Sequence, residues 1–328
     1  MSQLNSDSDP SLAEVNDQRD RSRTPLIVGG VLFLVLLIGC VVLGPIASAL
    51  LQVRENARRT TCMNHLRQLG VQIEDYYVVH NAFPPGWEVP MDEAPSLPTW
   101  GWPSKLVSMT DITYPTPQDL ETPLAEVLIA DDQRMEFVQT YFQEYLCPSD
   151  DALAYNGENH PDRRWVHDGN PVPFGLSMYV GNAGHRHDAV GSQVNTGIFY
   201  GNSAVTLADV TDGVSHTIML GERDLTRCRA GSWPGVPDPM KHDGGPSIWN
   251  VVAGAKPKIN APPWDGDMLC GEGFSSLHPG GANVLLVDGS VEFLTTDTDT
   301  QWQPEPTAGK MGVLQQMMIR NDGEKNDP

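Results

Sequence analysis

The sequence predicts an α+β protein, one long N-terminal helix packed on an antiparallel β-sheet. Three observations predict it. Thr24 to Leu51 carry no charge. Beyond them Cys62, Leu66, Leu69, Ile73, Tyr76 or Tyr77 and His80 recur every three or four residues, the single apolar stripe of an amphipathic helix. From Cys147 the pattern changes to short apolar runs broken by Gly and Asn, which reads as strands and tight turns. Helix first and strands afterwards is a segregated order, not an alternating one.

Residues 1–24, with five acids and three arginines, read as a disordered cytoplasmic tail. Residues 25–51 read as a transmembrane helix, because the 28 uncharged residues exceed the roughly 20 apolar residues that span a bilayer. The competing reading is a cleaved signal peptide ending at Ala47-Ser48-Ala49. The long acidic region before it and the length of the apolar run favour an anchor. Arg19, Arg21 and Arg23 precede the span and Arg54, Arg58, Arg59 and Arg67 follow it, so charge does not set the orientation. The helix continues along the stripe to His80 and is ended by Phe83-Pro84-Pro85-Gly86.

Residues 87–146 are rich in Pro, Trp and acids, with one or two short helices in "TPLAEVLIADDQRMEFVQTYFQEYL". Strands follow in "FGLSMYVGNAG", "TGIFYGNS", "SHTIMLGER" and "SIWNVV". "VTLADVTDG" is a one-turn helix with Thr206 as N-cap and Asp209 as its capping-box partner. In "HPGGANVLLVDGSVEFL", Asp288-Gly289 predicts a two-residue type I′ turn that pairs Leu286 with Val291 and Val284 with Phe293. Val284, Leu286, Val291 and Phe293 then face the helix stripe, with Leu285 and Val287 opposite. Residues 52–294 are thus expected to form one domain beyond the span, placed outside the cytoplasm by the family resemblance given below, and 295–328 a polar C-terminal tail with one short helix near "GVLQQMMIR".

Net charge is -21, a surface that repels nucleic acid and excludes it as a partner. Cys40 lies in the span. Cys62, Cys147, Cys228 and Cys270 form an even set with no C-x-x-C spacing, which fits two disulfides in an oxidising compartment better than zinc. Three pairings are open. Cys62 with Cys147 would clamp the helix to the body, leaving Cys228 for Cys270. Cys147-Pro148-Ser149-Asp150 reads as the surroundings of a half-cystine, not of a nucleophile.

No residue set reads as catalytic, since H-E-x-x-H, G-x-S-x-G, Walker and G-x-G-x-x-G patterns are all absent. His185-Arg186-His187-Asp188 and the group His160, Asp162 and His167 offer imidazoles and carboxylates without a further ligand at metal spacing, so they read as solvated loops. No cofactor is expected. Asp209, Asp212 and Asp224 could bind calcium weakly through loop oxygens, but caps and turns account for them. His278 and Asp288 look like a pair, yet the six steps from Ala282 to Asp288 span roughly 20 Å in a strand. His278 is therefore expected to make a local hydrogen bond at the strand entry.

Taken together, "RENARRTTCMNHLRQLG", "NAFPPG", "CPSD", "YVGNAG", "LADVTDGVSHTIMLGE" and "SSLHPGGANVLLVDGSVEFL" resemble a large bacterial family of prepilin-like proteins filed as domain of unknown function 1559. Its members carry a C-terminal box of His, nine residues and Asp-Gly, matched here by His278, Gly280, Gly281, Asp288 and Gly289. The resemblance implies a pilin-like fold and a place in the cell envelope, but no reaction. The chain departs from the family's prepilin signal. There is no Gly-Phe-Thr, and no acid lies between Thr24 and Leu51, where the mature glutamate would be.

The resulting expectation is a non-enzymatic, single-pass protein of the cytoplasmic membrane. Residues 25–51 would sit in the bilayer, and a pilin-like domain would be displayed outside. Other pilin-like or secretion-system proteins are the expected partners. The alternatives are a pseudopilin of a type II secretion or pilus-type machine, and an envelope ligand-binding module. For the second, Trp87, Trp100, Trp102, Trp233 and Trp264 in Pro/Gly-rich loops could stack on a ligand or cap the sheet.

Overall fold

In the computed structural model the chain divides into two compact units, residues 1–56 and 57–328. The structure describes residues 11–88, 97–107, 117–150, 164–167, 169–185, 195–237, 247–263, 270–302 and 310–321, with only part of the side chains in 11–45. Helix α1 is Ser11–His80. It begins well before the expected span, so residues assigned to a disordered tail are helical from Ser11. Among the described residues no helix is long and apolar enough to cross a membrane. Most side chains of the uncharged run, Cys40 included, lie outside those residues. Of the ones described, Val28, Leu32, Phe33, Leu34, Ile46 and Leu50 are each more than half exposed.

In the second unit α1 stops where the sequence places its end. Asn81 takes a left-handed φ of 56°, and its N–H donates to the Tyr77 carbonyl at 2.8 Å, a common way of closing a helix C-terminus. Cys62, Leu66, Leu69 and Ile73 are fully buried. Each such apolar side chain contributes about 1.5–3 kcal/mol by leaving water.

Five strands form the main sheet: β1 Tyr179–Gly184, β2 Ile218–Glu222, β3 Val252–Gly254, β4 Gly281–Leu286 and β5 Val291–Thr295. Their order is β5-β4-β2-β1-β3. The first four are antiparallel neighbours, and β3 joins β1 in parallel. The expected all-antiparallel sheet is thus corrected at one edge, where a long excursion between β1 and β3 brings the chain back in the same direction. "TGIFYGNS" is not a strand. Ile198 and Phe199 N–H both donate to the Asn182 carbonyl at 2.9 Å, so this segment crosses the end of β1 without pairing along it.

The hairpin differs from its expected register by one residue. Leu285 pairs with Val291, Val284 with Glu292 and Asn283 with Phe293. Leu286 N–H donates to Ser290 O at 2.8 Å and Gly289 N–H to Leu286 O at 3.0 Å, closing a three-residue loop of Val287, Asp288 and Gly289. Only Gly289 takes a positive φ there, 83°. That is a type I turn followed by a left-handed glycine, whereas a type I′ turn needs two positive φ angles. The Asp288 carboxylate favours it by accepting from Ser290 N–H at 2.9 Å and its hydroxyl at 2.6 Å.

The helix also takes the other face of β4. Leu285 and Val287 pack with Leu66, Leu69 and Ile73, and the nearest neighbour of Gly70 is the Leu285 side chain. Val284, Leu286 and Leu294 lie on the reverse face against Leu314, Met317 and Met318. Residues expected as a polar tail therefore form a second cover, through the short helix Val313–Met317.

Four of the five tryptophans expected in loops are core. Trp87, Trp100, Trp102 and Trp233 are at most 1% exposed. The indole N–H groups of Trp100, Trp102 and Trp233 donate to the carbonyls of Thr122, Val251 and Thr140. This removes them as a ligand-stacking platform; Trp264 lies outside the described residues. The sulfurs of Cys62 and Cys147 are 2.21 Å apart and those of Cys228 and Cys270 2.25 Å apart, the pairing anticipated. With a sequence separation of 85, the first bridge stabilises by about 4–5 kcal/mol on a loop-entropy estimate.

A prediction separates two kinds of glycine. At Gly289 a Cβ would meet nothing within 4 Å, so Gly289→Ala should cost only the left-handed penalty, about 1–2 kcal/mol. At Gly281 a Cβ would lie 2.0 Å from the Leu294 carbonyl oxygen. Gly281→Ala should cost clearly more by forcing β4 and β5 apart. Urea denaturation of both variants gives the order.

Candidate functional site

Segments that carry the family resemblance converge at one buried point. Cys62 comes from the stripe of α1, and Cys147 opens "CPSD". Glu222 ends β2, and His278 precedes β4. Ligand-type atoms of all four lie within 4.8 Å of one another, and all four residues are buried.

Local structure aims each of them. Ser276 Oγ accepts from His278 N–H at 3.1 Å and donates to Gly281 O at 2.7 Å, closing the His-Pro-Gly-Gly turn. Gly280 supplies the positive φ, 87°, that the turn requires. The His278 ring is thereby held between two partners, Ser149 Oγ at 3.2 Å from Nδ1 and Glu222 Oε1 at 3.3 Å from Nε2. Cys147 Sγ lies 3.5 Å from the same Nε2. Glu222 is 1% exposed. Its Oε2 accepts from Asn283 N–H at 2.7 Å and its Oε1 from the Asn283 amide at 2.8 Å. Arg59 in turn donates to Asn283 Oδ1 at 3.4 Å and lies over the Phe293 ring. Asp150, also from "CPSD", accepts from Leu225 N–H at 2.6 Å and the Thr226 hydroxyl at 2.6 Å, capping the helical turn Leu225–Cys228.

Electrostatics at this point disfavour new charge. Burial, and then the charge of Glu222, push the Tyr179 phenol well above its usual range. Burial and Glu144 do the same to Tyr145, whose hydroxyl donates to Pro103 O at 2.9 Å. An imidazole–carboxylate pair can move a proton. The cavity beside Cys147 and Glu222 has only about 10 Å³, room for about one water and none for a substrate.

The structure does not bring His278 and Asp288 together. Asp288 is exposed in its turn, as the strand-length argument requires. The expectation of a purely local hydrogen bond for His278 is corrected, because its ring partners come from distant segments. Asp209, Asp212 and Asp224 serve separate local roles. Asp209 accepts from Thr206 N–H and hydroxyl at 2.7 Å, which hold its carboxyl below the ordinary value. Asp212 accepts from Thr211 at 3.5 Å, and Asp224 pairs with Arg227. His185 stacks on Trp302 and His167 on Trp165. His187, Asp188, His160 and Asp162 lie outside the described residues. Sequence reasoning missed Glu222 and Ser149. The available signal was an acid closing the otherwise apolar "IMLGE".

The Asp-Gly end of the box borders a groove of about 550 Å³ between α1 and the hairpin loop, lined mainly by apolar side chains such as Val71, Phe83, Val214 and Met219, with Arg67 and Glu74 at its edge.

A family model described as "Protein of unknown function (DUF1559)" matches residues 52–301, well over half of the chain. No curated protein and no solved structure matches.

Two outcomes are expected. His278→Ala leaves Ser149 and the buried Glu222 carboxylate without its ring and should cost about 1–3 kcal/mol in urea denaturation, the penalty for an unsatisfied buried group. The raised phenols make stability fall with alkali: it is fully present below the unfolded tyrosine value near 10 and lost as pH rises above it. Spectrophotometric titration of the eight tyrosines should leave Tyr145 and Tyr179 protonated until the chain unfolds.

Proposed function

Because the chain belongs to the DUF1559 family of proteins of unknown function, we propose a role in which display, not chemistry, is the task. It is a non-enzymatic, single-pass protein of the cytoplasmic membrane, with a pilin-like domain held outside in a structural or interaction role. The observation that carries this reading is the uncharged run Thr24–Leu51, placed on the same helix α1 as the buried stripe. The two cysteine bridges support an oxidising compartment for the body. The long helix lying on a largely antiparallel sheet supports the pilin-like description. Partners are the bilayer through residues 25–51 and other envelope or pilin-like proteins. The acidic surface argues against nucleic acid. No cofactor is assigned.

A second reading, an envelope ligand-binding module, is favoured by the apolar groove at the hairpin loop. It no longer draws on Trp87, Trp100, Trp102 and Trp233, which are buried.

The membrane fraction should hold the protein through an alkaline carbonate wash, and its intact mass should correspond to the complete chain. A mass lacking the first 49 residues, or any shorter leader, would sink the anchored reading and favour a processed, pseudopilin-like component. A mutant carrying Leu36→Arg and Leu37→Arg should shift to the soluble fraction, since each arginine at a span's centre costs about 2.5–3.5 kcal/mol of insertion.

A further inference from the structure

Cys62, Cys147, His278 and Glu222 supply two sulfurs, an imidazole nitrogen and a carboxylate oxygen, a donor set that suits a borderline-soft divalent cation. We propose that, once the Cys62–Cys147 bridge is reduced, these four residues form a closed tetrahedral site for one zinc-like ion. Bridge and metal are then alternative closures of the same joint between α1 and the sheet.

Distances carry the argument. With Zn–S near 2.3 Å and Zn–N and Zn–O near 2.0–2.2 Å, a tetrahedron has N···S edges of about 3.6 Å and N···O edges of about 3.4 Å. Here His278 Nε2 stands 3.5 Å from Cys147 Sγ and 3.3 Å from Glu222 Oε1. The remaining ligand atoms lie within 4.8 Å of these; the two sulfurs are covalently joined, and cleaving their bond lets them separate by side-chain rotation.

The outer contacts are those a metal site needs. With its proton on Nδ1, His278 donates to Ser149 Oγ and turns the Nε2 lone pair inward. Asn283 holds both oxygens of Glu222 through its backbone and side-chain N–H groups. Burial excludes competing water ligands, and the cavity of about 10 Å³ that borders Cys147 and Glu222 leaves local slack for the sulfurs to part. The Cys228–Cys270 pair has no such partners among the described residues. Its cluster holds only Ala261 besides the two cysteines, and it is absent from the four-ligand group.

The redox step balances with a dithiol reductant. The reductant gives two electrons and two protons to the Cys62–Cys147 bond and closes to its own disulfide, leaving two thiols. Binding of M²⁺ then releases both thiol protons to solvent, and the thiolates, neutral His278 and ionised Glu222 complete the shell. Reoxidation expels the ion, because a bridged sulfur pair cannot supply two thiolates.

The test uses the full chain in detergent, reduced anaerobically with a phosphine, with Co²⁺ as the spectroscopic probe and Zn²⁺ as the competitor. The expected result is one tightly held cobalt per chain, with tetrahedral visible bands and sulfur-to-metal charge transfer, displaced by zinc and lost on reoxidation. Zinc should protect Cys62 and Cys147, but not Cys228 and Cys270, from alkylation in peptide mapping. His278→Ala should weaken zinc binding more than 100-fold and Ser149→Ala about 10-fold, while Cys228→Ser/Cys270→Ser should leave it unchanged. The proposal is overturned by any of four results. These are no thiolate–cobalt spectrum in reduced, folded protein, equal binding by the oxidised protein, protection that maps to Cys228 and Cys270, or reduced protein that unfolds and is not recovered by metal. None of these results depends on whether the span anchors the chain.

Discussion

The carboxylate of Glu222 is withdrawn from water where a helix, a strand and two loops meet, and the surrounding structure is arranged to satisfy it. A buried charge costs several kcal/mol unless it is paired and hydrogen-bonded. Asn283 gives it two N–H groups and His278 faces it from the other side. Asn283 can do so only because β4 runs beside β2 in the observed register, and His278 only because the Ser276-to-Gly281 turn holds its ring in place. The helix is pinned to the same point by the Cys62–Cys147 bridge and by Arg59 on Asn283. Loss of the carboxylate's partners would therefore disturb helix, sheet and loops together.

This arrangement assigns different work to the two ends of "HPGGANVLLVDGSVEFL". The His end closes a buried polar joint. The Asp-Gly end closes a hairpin, with Asp288 satisfied by Ser290 and Gly289 in the left-handed region. The nine residues between them are the Pro279-Gly280 entry, the six residues of β4 and Val287, which measures how far the joint lies from the rim of the groove. "CPSD" divides similarly: Cys147 bridges to the helix, Ser149 touches His278, and Asp150 caps the turn at Leu225–Cys228. Sequence stretches far apart in the chain thus form one interlocked shell around Glu222.

Much of this was legible in the sequence where the deciding physics is local. The stripe from Cys62 to Ile73 is buried as its spacing implies. The Thr206–Asp209 pair forms its capping contacts, and the helix ends just before "NAFPPG". An even count of cysteines and the geometry of a clamp favoured the observed pairing. The hairpin was read correctly as a hairpin but in the wrong register, because Asp-Gly serves a two-residue type I′ turn and a three-residue turn alike. A shift of one position exchanges the faces of a strand, so Leu285 and Val287, not Val284 and Leu286, meet the helix. In strands buried on both sides, the apolar pattern has no polar alternation to reveal such an error.

The sequence by itself determined the α+β class, the long helix and its apolar stripe, the uncharged run, the acidic surface and the half-cystines. Each is a matter of composition, period or parity along the chain. Only the tertiary structure decided that Glu222, His278, Ser149 and the Cys62–Cys147 bridge share one buried point. The same holds for the C-terminal residues at Leu314 to Met318, which cover the sheet's reverse face, and for Trp87, Trp100, Trp102 and Trp233, which fill the core. These depend on which distant segments are brought together out of water. The burial of a charged or aromatic side chain is settled by the neighbours it acquires on folding, not by those beside it in sequence.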